Sequence, residues 1–353
     1  RRDKMKGMIR QELKNYFKNP LYWVGILFIL YGLFQVLSPY LDVHYFHSKQ
    51  EVQQTKPESL ADADIMDGYV KSTEKERIDL AAKKIQSMIV KEFGEDAENV
   101  RETLKEIRES GKSVSEMSDA IGEIYGYPKG YSFQYYYQVY EYHKGTKNEI
   151  NKDLKEKLTA HSYSWYFGRK FADFGGLYLG FFSAVLLAFL FIRDTKRDTY
   201  ELLHTKPVTA KAYVFGKAAG GFFSMAAAWL LFVVVFFALS AVAGIRNGLP
   251  VSLIEFLIPA VYYMLPNVLM IVSVYTIIAL GFRNPLPGVP FLFLYLMYSN
   301  MGPLRPLAIT VRFDGGFLEA VAPRAVYNQV FLLVVSAGLL FMASAIWKRR
   351  RIG

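Results

Sequence analysis

The chain has 353 residues, 52% hydrophobic and 16% aromatic, with a formal charge of +10 and no cysteine. Several long uncharged runs in such a composition describe an integral membrane protein, not a soluble domain. The absence of cysteine excludes disulfides, thiolate metal centres and cysteine nucleophiles.

The charge is unevenly spread. Asp42 to Lys170 holds 20 basic and 23 acidic residues, and the rest of the chain holds 22 basic and 9 acidic. The basic surplus therefore belongs to the membrane part. It reads as a topology signal and not as a footprint for nucleic acid.

Residues 1–20 place Met5, Met8, Ile9, Leu13 and Phe17 at helical spacing, with Arg10, Lys14 and Lys18 opposite. This pattern predicts an amphipathic helix on the cytoplasmic leaflet, broken at Asn19-Pro20. The first span follows at 21–40, with Tyr22 and Trp23 at headgroup level. Its apolar run lacks a small-residue cleavage site and follows a basic stretch, so it reads as a retained anchor.

Residues 41–170 form a predicted extracytoplasmic helical domain. The periodic stretches are 73–93, 98–109, 115–124 and 148–158, punctuated by Gly94, Gly111, Gly126 and Gly145, with no convincing strand pairs. The tyrosine-rich run Tyr131 to Tyr142 reads as core of that domain. A binding surface near headgroups or for a peptide is the alternative.

The remainder, 171–353, carries spans two to six. Span two is expected at 174–192. Asp173 begins it beside Arg169 and Lys170, as an interfacial ion pair. A charged cytoplasmic loop, 193–211, separates it from span three at 213–243. Tyr200, Leu202, Leu203 and Val208 give that loop an apolar side, and Pro207 stops a helix begun near Thr199. A short amphipathic helix held out by two spans is a docking element for a soluble partner. Gly216, Gly220 and Gly221 suggest a close-packed helix face.

Span four, 253–280, contains Pro259 and Pro266 and is expected to kink or break. Glu255 at its outer end either pairs with Arg246 or faces a pathway, along with Tyr262 and Tyr263. Span five, 291–303, is short. Residues 304–323 are too apolar for a free loop and are expected to form outer half-helices. Span six, 325–347, is stopped by the basic run Lys348 to Arg351. The sum is an all-α integral membrane protein with six transmembrane helices and both termini cytoplasmic. Its inner segments hold 18 basic residues against four in the short outer loops, as positive-inside topology requires.

This layout resembles the permease subunit of an ABC-2 type (type V) ABC exporter. The residues that carry the likeness are Glu201, Leu202, Leu203, Pro207, Lys211, Gly216 and Lys217, and the opening helix Arg10 to Pro20. The resemblance implies that 199–207 is a coupling helix. Tyr200, Glu201, Leu202, Leu203, His204 and Pro207 would dock on an ATPase. It further implies two ABC ATPase subunits, a second permease as homodimer or heterodimer, a lipid environment and a multi-pass place in a bacterial plasma membrane of Gram-positive type. Export of a peptide, antibiotic or lipid-like cargo follows from the resemblance. The large first outer loop departs from the polysaccharide exporters of the class.

No phosphate-binding loop is present, because Gly216-Lys217 is followed by Ala218 and residue 211 is lysine, not glycine. The chain binds no cofactor, and ATP and Mg belong to the partner ATPase. His44 and His47 have few carboxylates nearby and make a poor metal site. Neither H-E-x-x-H nor G-x-S-x-G occurs, so the chain is not itself an enzyme. A receptor signalling through the cytoplasmic loop is the rival reading, and it predicts no ATPase partner.

Overall fold

The computed structural model describes residues 2–54, 68–189, 208–282, 284, 286–301, 304–311 and 317–352. The chain divides into two units. One comprises Arg1–His44, Asp62–Ile65 and Glu156–Gly353, and the other Tyr45–Ala61 and Met66–Lys155.

The first unit is a helical bundle. It contains α1 (Arg2–Phe17) and α2 (Pro20–Leu37, extended by a 3₁₀ turn at Ser38–Leu41). In the second unit follow α3 (Lys49–Gln54), β1 (Tyr69–Lys71), α4 (Glu74–Phe93), α5 (Ala97–Glu109), α6 (Val114–Tyr125), α7 (Tyr127–Val139), β2 (Tyr142–Lys144) and most of α8 (Lys147–Ala160). The chain returns to the bundle with α9 (Tyr163–Leu186), α10 (Ala210–Arg246), α11 (Leu253–Phe282), α12 (Gly288–Asn300) and α13 (Phe317–Ile352).

Four of the described helices are long and apolar enough to cross a bilayer: Pro20–Leu41, Ala210–Arg246, Leu253–Phe282 and Pro323–Arg349. The protein is thus an all-α multi-pass membrane protein, with one short ribbon among the described residues. Among the spans α11 is the most enclosed, and α9 and α13 both pack along it. Small residues permit these approaches. Gly168 of α9 lies against the Phe256 backbone of α11, where an added Cβ would stand 2.9 Å from the Phe256 carbonyl oxygen. Lipid tails are as apolar as leucine, so association in a bilayer rests on such tight packing and not on hydrophobic drive.

Four expectations change. α9 starts at Tyr163, about three turns before the residue at which the second span was expected to begin, and it encloses Arg169, Lys170 and Asp173, all buried. Pro259 and Pro266 do not break α11, which is continuous through both. Proline removes a donor, but neighbouring groups can take up the freed carbonyls in a packed span.

Residues 304–311, the described start of the segment expected as half-helices, are not helical but form turns and extended chain. Their backbone is satisfied by side chains instead: Tyr295 donates to the Leu307 carbonyl at 2.6 Å, Asn328 to that of Ala308 at 2.8 Å, and the Ile309 N–H to Ser299 Oγ at 3.1 Å. From Phe317 the chain is already α13, which runs through Pro323. Finally, a strand pair does form: β1 pairs antiparallel with β2, with Val70 opposite His143.

The second unit closes around its own core. Ala81, Ile85 and Ile89 of α4 meet Val100 and Leu104 of α5, Met117 and Ile121 of α6, and Phe133 of α7. Its helices start by rule. Thr73/Glu76 and Ser113/Glu116 are reciprocal capping boxes, and Thr146/Glu149 repeats the pattern at α8. The backbone N–H groups and hydroxyls donated to Glu76, Glu116 and Glu149 hold these carboxyls below the usual range. Gly94 ends α4 at φ +66°, a left-handed position that other residues adopt at a cost.

Candidate functional site: the root of α10

The predicted docking residues Tyr200, Glu201, Leu202, Leu203, His204 and Pro207 lie outside the described residues. What the structure gives is the point at which the chain leaves that segment and becomes α10. Thr209 caps the helix, accepting from the Ala212 N–H at 3.2 Å. The next three turns are gripped from two sides.

On one side lies α1. Gly216 and Gly220 present bare backbone to it: an added Cβ would meet Met8 at 3.1 Å from Gly216 and Glu12 Cβ at 2.5 Å from Gly220. Gly221 is buried beside them. Between the two glycines, Lys217 Nζ meets Glu12 Oε1 at 2.6 Å, both side chains under 10% exposed. The pair is charge-assisted and desolvated, so its members depend on one another. Tyr16, one turn beyond Glu12, donates to the Leu186 carbonyl at the end of α9. Burial, and then the Glu12 carboxylate, push its phenol well above the ordinary range.

On the other side lies α13. Tyr213 stacks on Trp347 with ring centres 4.2 Å apart, Phe215 meets Phe341 edge-on at 5.2 Å, and Lys211 Nζ stands 5.7 Å above the Phe341 ring. The first three turns of α10 are therefore bound to an N-terminal helix and a C-terminal helix at once.

Glu255 and the two tyrosines stand at the far end of the bundle. The Glu255 carboxylate accepts the Ser162 N–H at 2.7 Å, joining α11 to the start of α9. Tyr262 donates to the Val326 carbonyl of α13 at 3.0 Å. Tyr263 is half-buried, its ring edge-on to that of Tyr262 with centres 5.2 Å apart. His44 and His47 join no cluster: among the described residues no group of three or more potential ligands could hold a metal.

Glu12 was missed by sequence reasoning. A carboxylate on a basic amphipathic helix reads as solvated. Its one sequence signal is position, three residues after Ile9 and four before Tyr16, on the face that meets α10.

Over residues 8–339 the chain matches the family described as ABC-2 family transporter protein. It belongs to that family, and is a membrane-spanning ABC-2 type permease subunit. No curated protein and no solved structure matches it. Members of this family are non-catalytic transport subunits, and membership implies partnership with ATPase subunits.

Proposed function

We propose that the chain is the permease of an ATP-driven exporter for amphipathic cargo, such as a peptide, an antibiotic or a lipid-like molecule, coupled to its ATPases through the 199–207 helix. Two ATPase subunits and a second permease, like or unlike, complete the assembly. Beyond the four long apolar helices, α9 and α12 complete six spans. α12 is about 20 Å long and crosses with the help of its flanks. In this arrangement α1 and the root of α10 lie at the cytoplasmic face, and the 45–155 unit lies outside the cell.

The observation that carries the reading is the grip on α10. Rigid coupling needs the docking helix to end in something that moves as a body. The buried Glu12–Lys217 pair and the Tyr213–Trp347 stack supply that connection. Closure of an ATPase dimer against 199–207 would then pull α1, α10 and α13 together and change access between two facing bundles.

The test is co-purification from native membranes of the intact chain and of a Glu201→Arg/Leu203→Arg variant. The reading expects an ATPase with the intact chain and its loss with the variant. An intact, folded chain that never brings down an ATPase contradicts it and favours the receptor.

A further inference from the structure

Two positive charges face one pocket where α12 ends and the apolar part of α13 begins. The turn at 304–306 and one face of α13 line an open space of about 330 Å³. Arg305 comes from the turn. Arg324, Tyr327, Asn328 and Phe331 come from α13, at i, i+3, i+4 and i+7, a stretch about 10 Å long. No carboxylate lines the pocket, and among the described residues neither arginine is in an ion pair. A cleft lined by one sign of charge concentrates ions of the other.

Arg305 is held in place. Its guanidinium lies over the Tyr298 ring at 4.8 Å. Two residues on, Leu307 sits at φ +62°, a left-handed position that a branched side chain takes at a cost. Tyr295 and Asn328 fix the turn in that form by donating to the Leu307 and Ala308 carbonyls. The fold therefore spends backbone strain to keep one cation on the same pocket as another.

The level of the pocket indicates where its anion comes from. α12 ends at Asn300, and the apolar stretch of α13 runs from Pro323. Tyr298 and Tyr327 stand at this level, 42% and 75% exposed, as amphipathic rings do beside lipid headgroups. From there Val330, Phe331 and Val334 continue an exposed apolar face along the span. A phosphate held by the arginines thus has a path for its acyl chains on the same helix, which a soluble anion would leave unused. In the six-span arrangement these are two of the four basic residues in the short outer loops, on the side where positive charge is scarce.

We propose that this pocket binds the phosphate of an anionic phospholipid of the surrounding bilayer, with Arg305 and Arg324 as its charged donors and Tyr327 and Phe331 against its glycerol and upper chain. A zwitterionic lipid fits less well, because its ammonium finds no carboxylate in the lining. The site needs a bilayer but no ATPase, so it stands or falls apart from the transport reading.

The test uses the full chain in phosphatidylcholine nanodiscs. One sample contains a photoactivatable phosphatidylglycerol, and a parallel one a phosphatidylcholine with the same diazirine at the top of one acyl chain. Adducts are mapped by mass spectrometry and normalised to those on Leu27 and Phe28, two exposed residues of α2. The expected result is an excess of about tenfold for phosphatidylglycerol on residues 324–334. Arg305→Gln with Arg324→Gln removes that excess. Arg305→Lys with Arg324→Lys keeps part of it, since the charge remains while the planar fork is lost. Arg246→Gln, which removes an outer charge elsewhere, leaves it intact, as does millimolar inorganic phosphate.

Equal adducts from the two lipids, an excess that survives the double glutamine variant, or one lost with Arg246→Gln overturns the proposal. Displacement by inorganic phosphate also overturns it, leaving an anion site without a lipid. No adduct from either lipid on 324–334, with α2 labelled normally, overturns it and assigns the face to another protein chain. If the double glutamine variant loses its α2 adducts it has misfolded, and the single Arg324→Gln variant then decides by the same excess.

Discussion

The two units of this chain solve the same problem with opposite means. The 45–155 unit is charged on its surface, and its helices begin at reciprocal capping boxes and end at turns such as Gly94. Water drives its core together, and Phe133 and Ile85 gain by leaving solvent. The bundle has no such drive in lipid. It relies on glycines where helices cross, on tyrosine hydroxyls that reach carbonyls, and on the buried Glu12–Lys217 ion pair. The lesson is that a large side chain stabilises the first unit while bare backbone stabilises the second. Substitutions of opposite size therefore break them.

The largest effects should come from the centres of each. Phe133→Ala should cost the helical unit about 3–5 kcal/mol, seen as loss of hydrogen-exchange protection across α4 to α7 with the bundle unchanged. In the bundle, Glu12→Leu alone should cost about 3–5 kcal/mol by stranding Lys217, whereas Glu12→Leu with Lys217→Met should be near neutral. Thermal unfolding in lipid nanodiscs of both single variants and the double would check this, and equal, additive losses would contradict it.

A smaller effect follows from Gly220→Val. The branched side chain collides with Glu12 and should cost about 1–3 kcal/mol. Protease accessibility of α1 should rise, while the same change at Gly281, which borders open space, leaves α1 protected.

The smallest are the caps. Thr73→Ala should cost about 1 kcal/mol, local to the start of α4. Acid sharpens the contrast further. Glu76, Glu116 and Glu149 have depressed folded values, so their contribution is present above the ordinary carboxylate range. It is lost as pH falls below that range through the depressed values. Hydrogen exchange at the first turns of α4, α6 and α8 should therefore quicken below about pH 4, relative to the intrinsic rate. α10, and α11 beyond Glu255, hold no carboxylate and should keep their protection.

What could be read from the sequence follows the same division. The long apolar helices α2, α10 and α11, and the periodic helices of the charged unit, stand where hydropathy and 3.6-residue spacing put them. The start of α9 was hidden because Arg169, Lys170 and Asp173 read in sequence as the end of a helix-forming apolar run, whereas all three are buried within α9. The three-residue strands are too short to have a period. The tyrosine-rich α7 divides: Phe133 is fully enclosed, Tyr136 and Tyr137 pack on the core, and Tyr131 and Tyr135 are exposed. Residues 304–311 were misread because an apolar segment at membrane depth was expected to satisfy itself as helix, and Tyr295, Ser299 and Asn328 satisfy it from outside. At the root of α10, Gly216 and Gly220 were legible as small residues four apart. Their partner α1 was not, since nothing local tells a helix lying on lipid from one lying on another helix.

The most direct test of the central claim is a site-specific crosslink. With no native cysteine, Leu203→Cys can carry a single photoactivatable maleimide in native membranes. The account predicts a single adduct with an ATPase subunit, identified by mass spectrometry, and none from the same probe at Tyr131→Cys on the surface of the helical unit. Illumination that joins Leu203→Cys only to lipid or to the chain itself, while the protein remains folded, would contradict it.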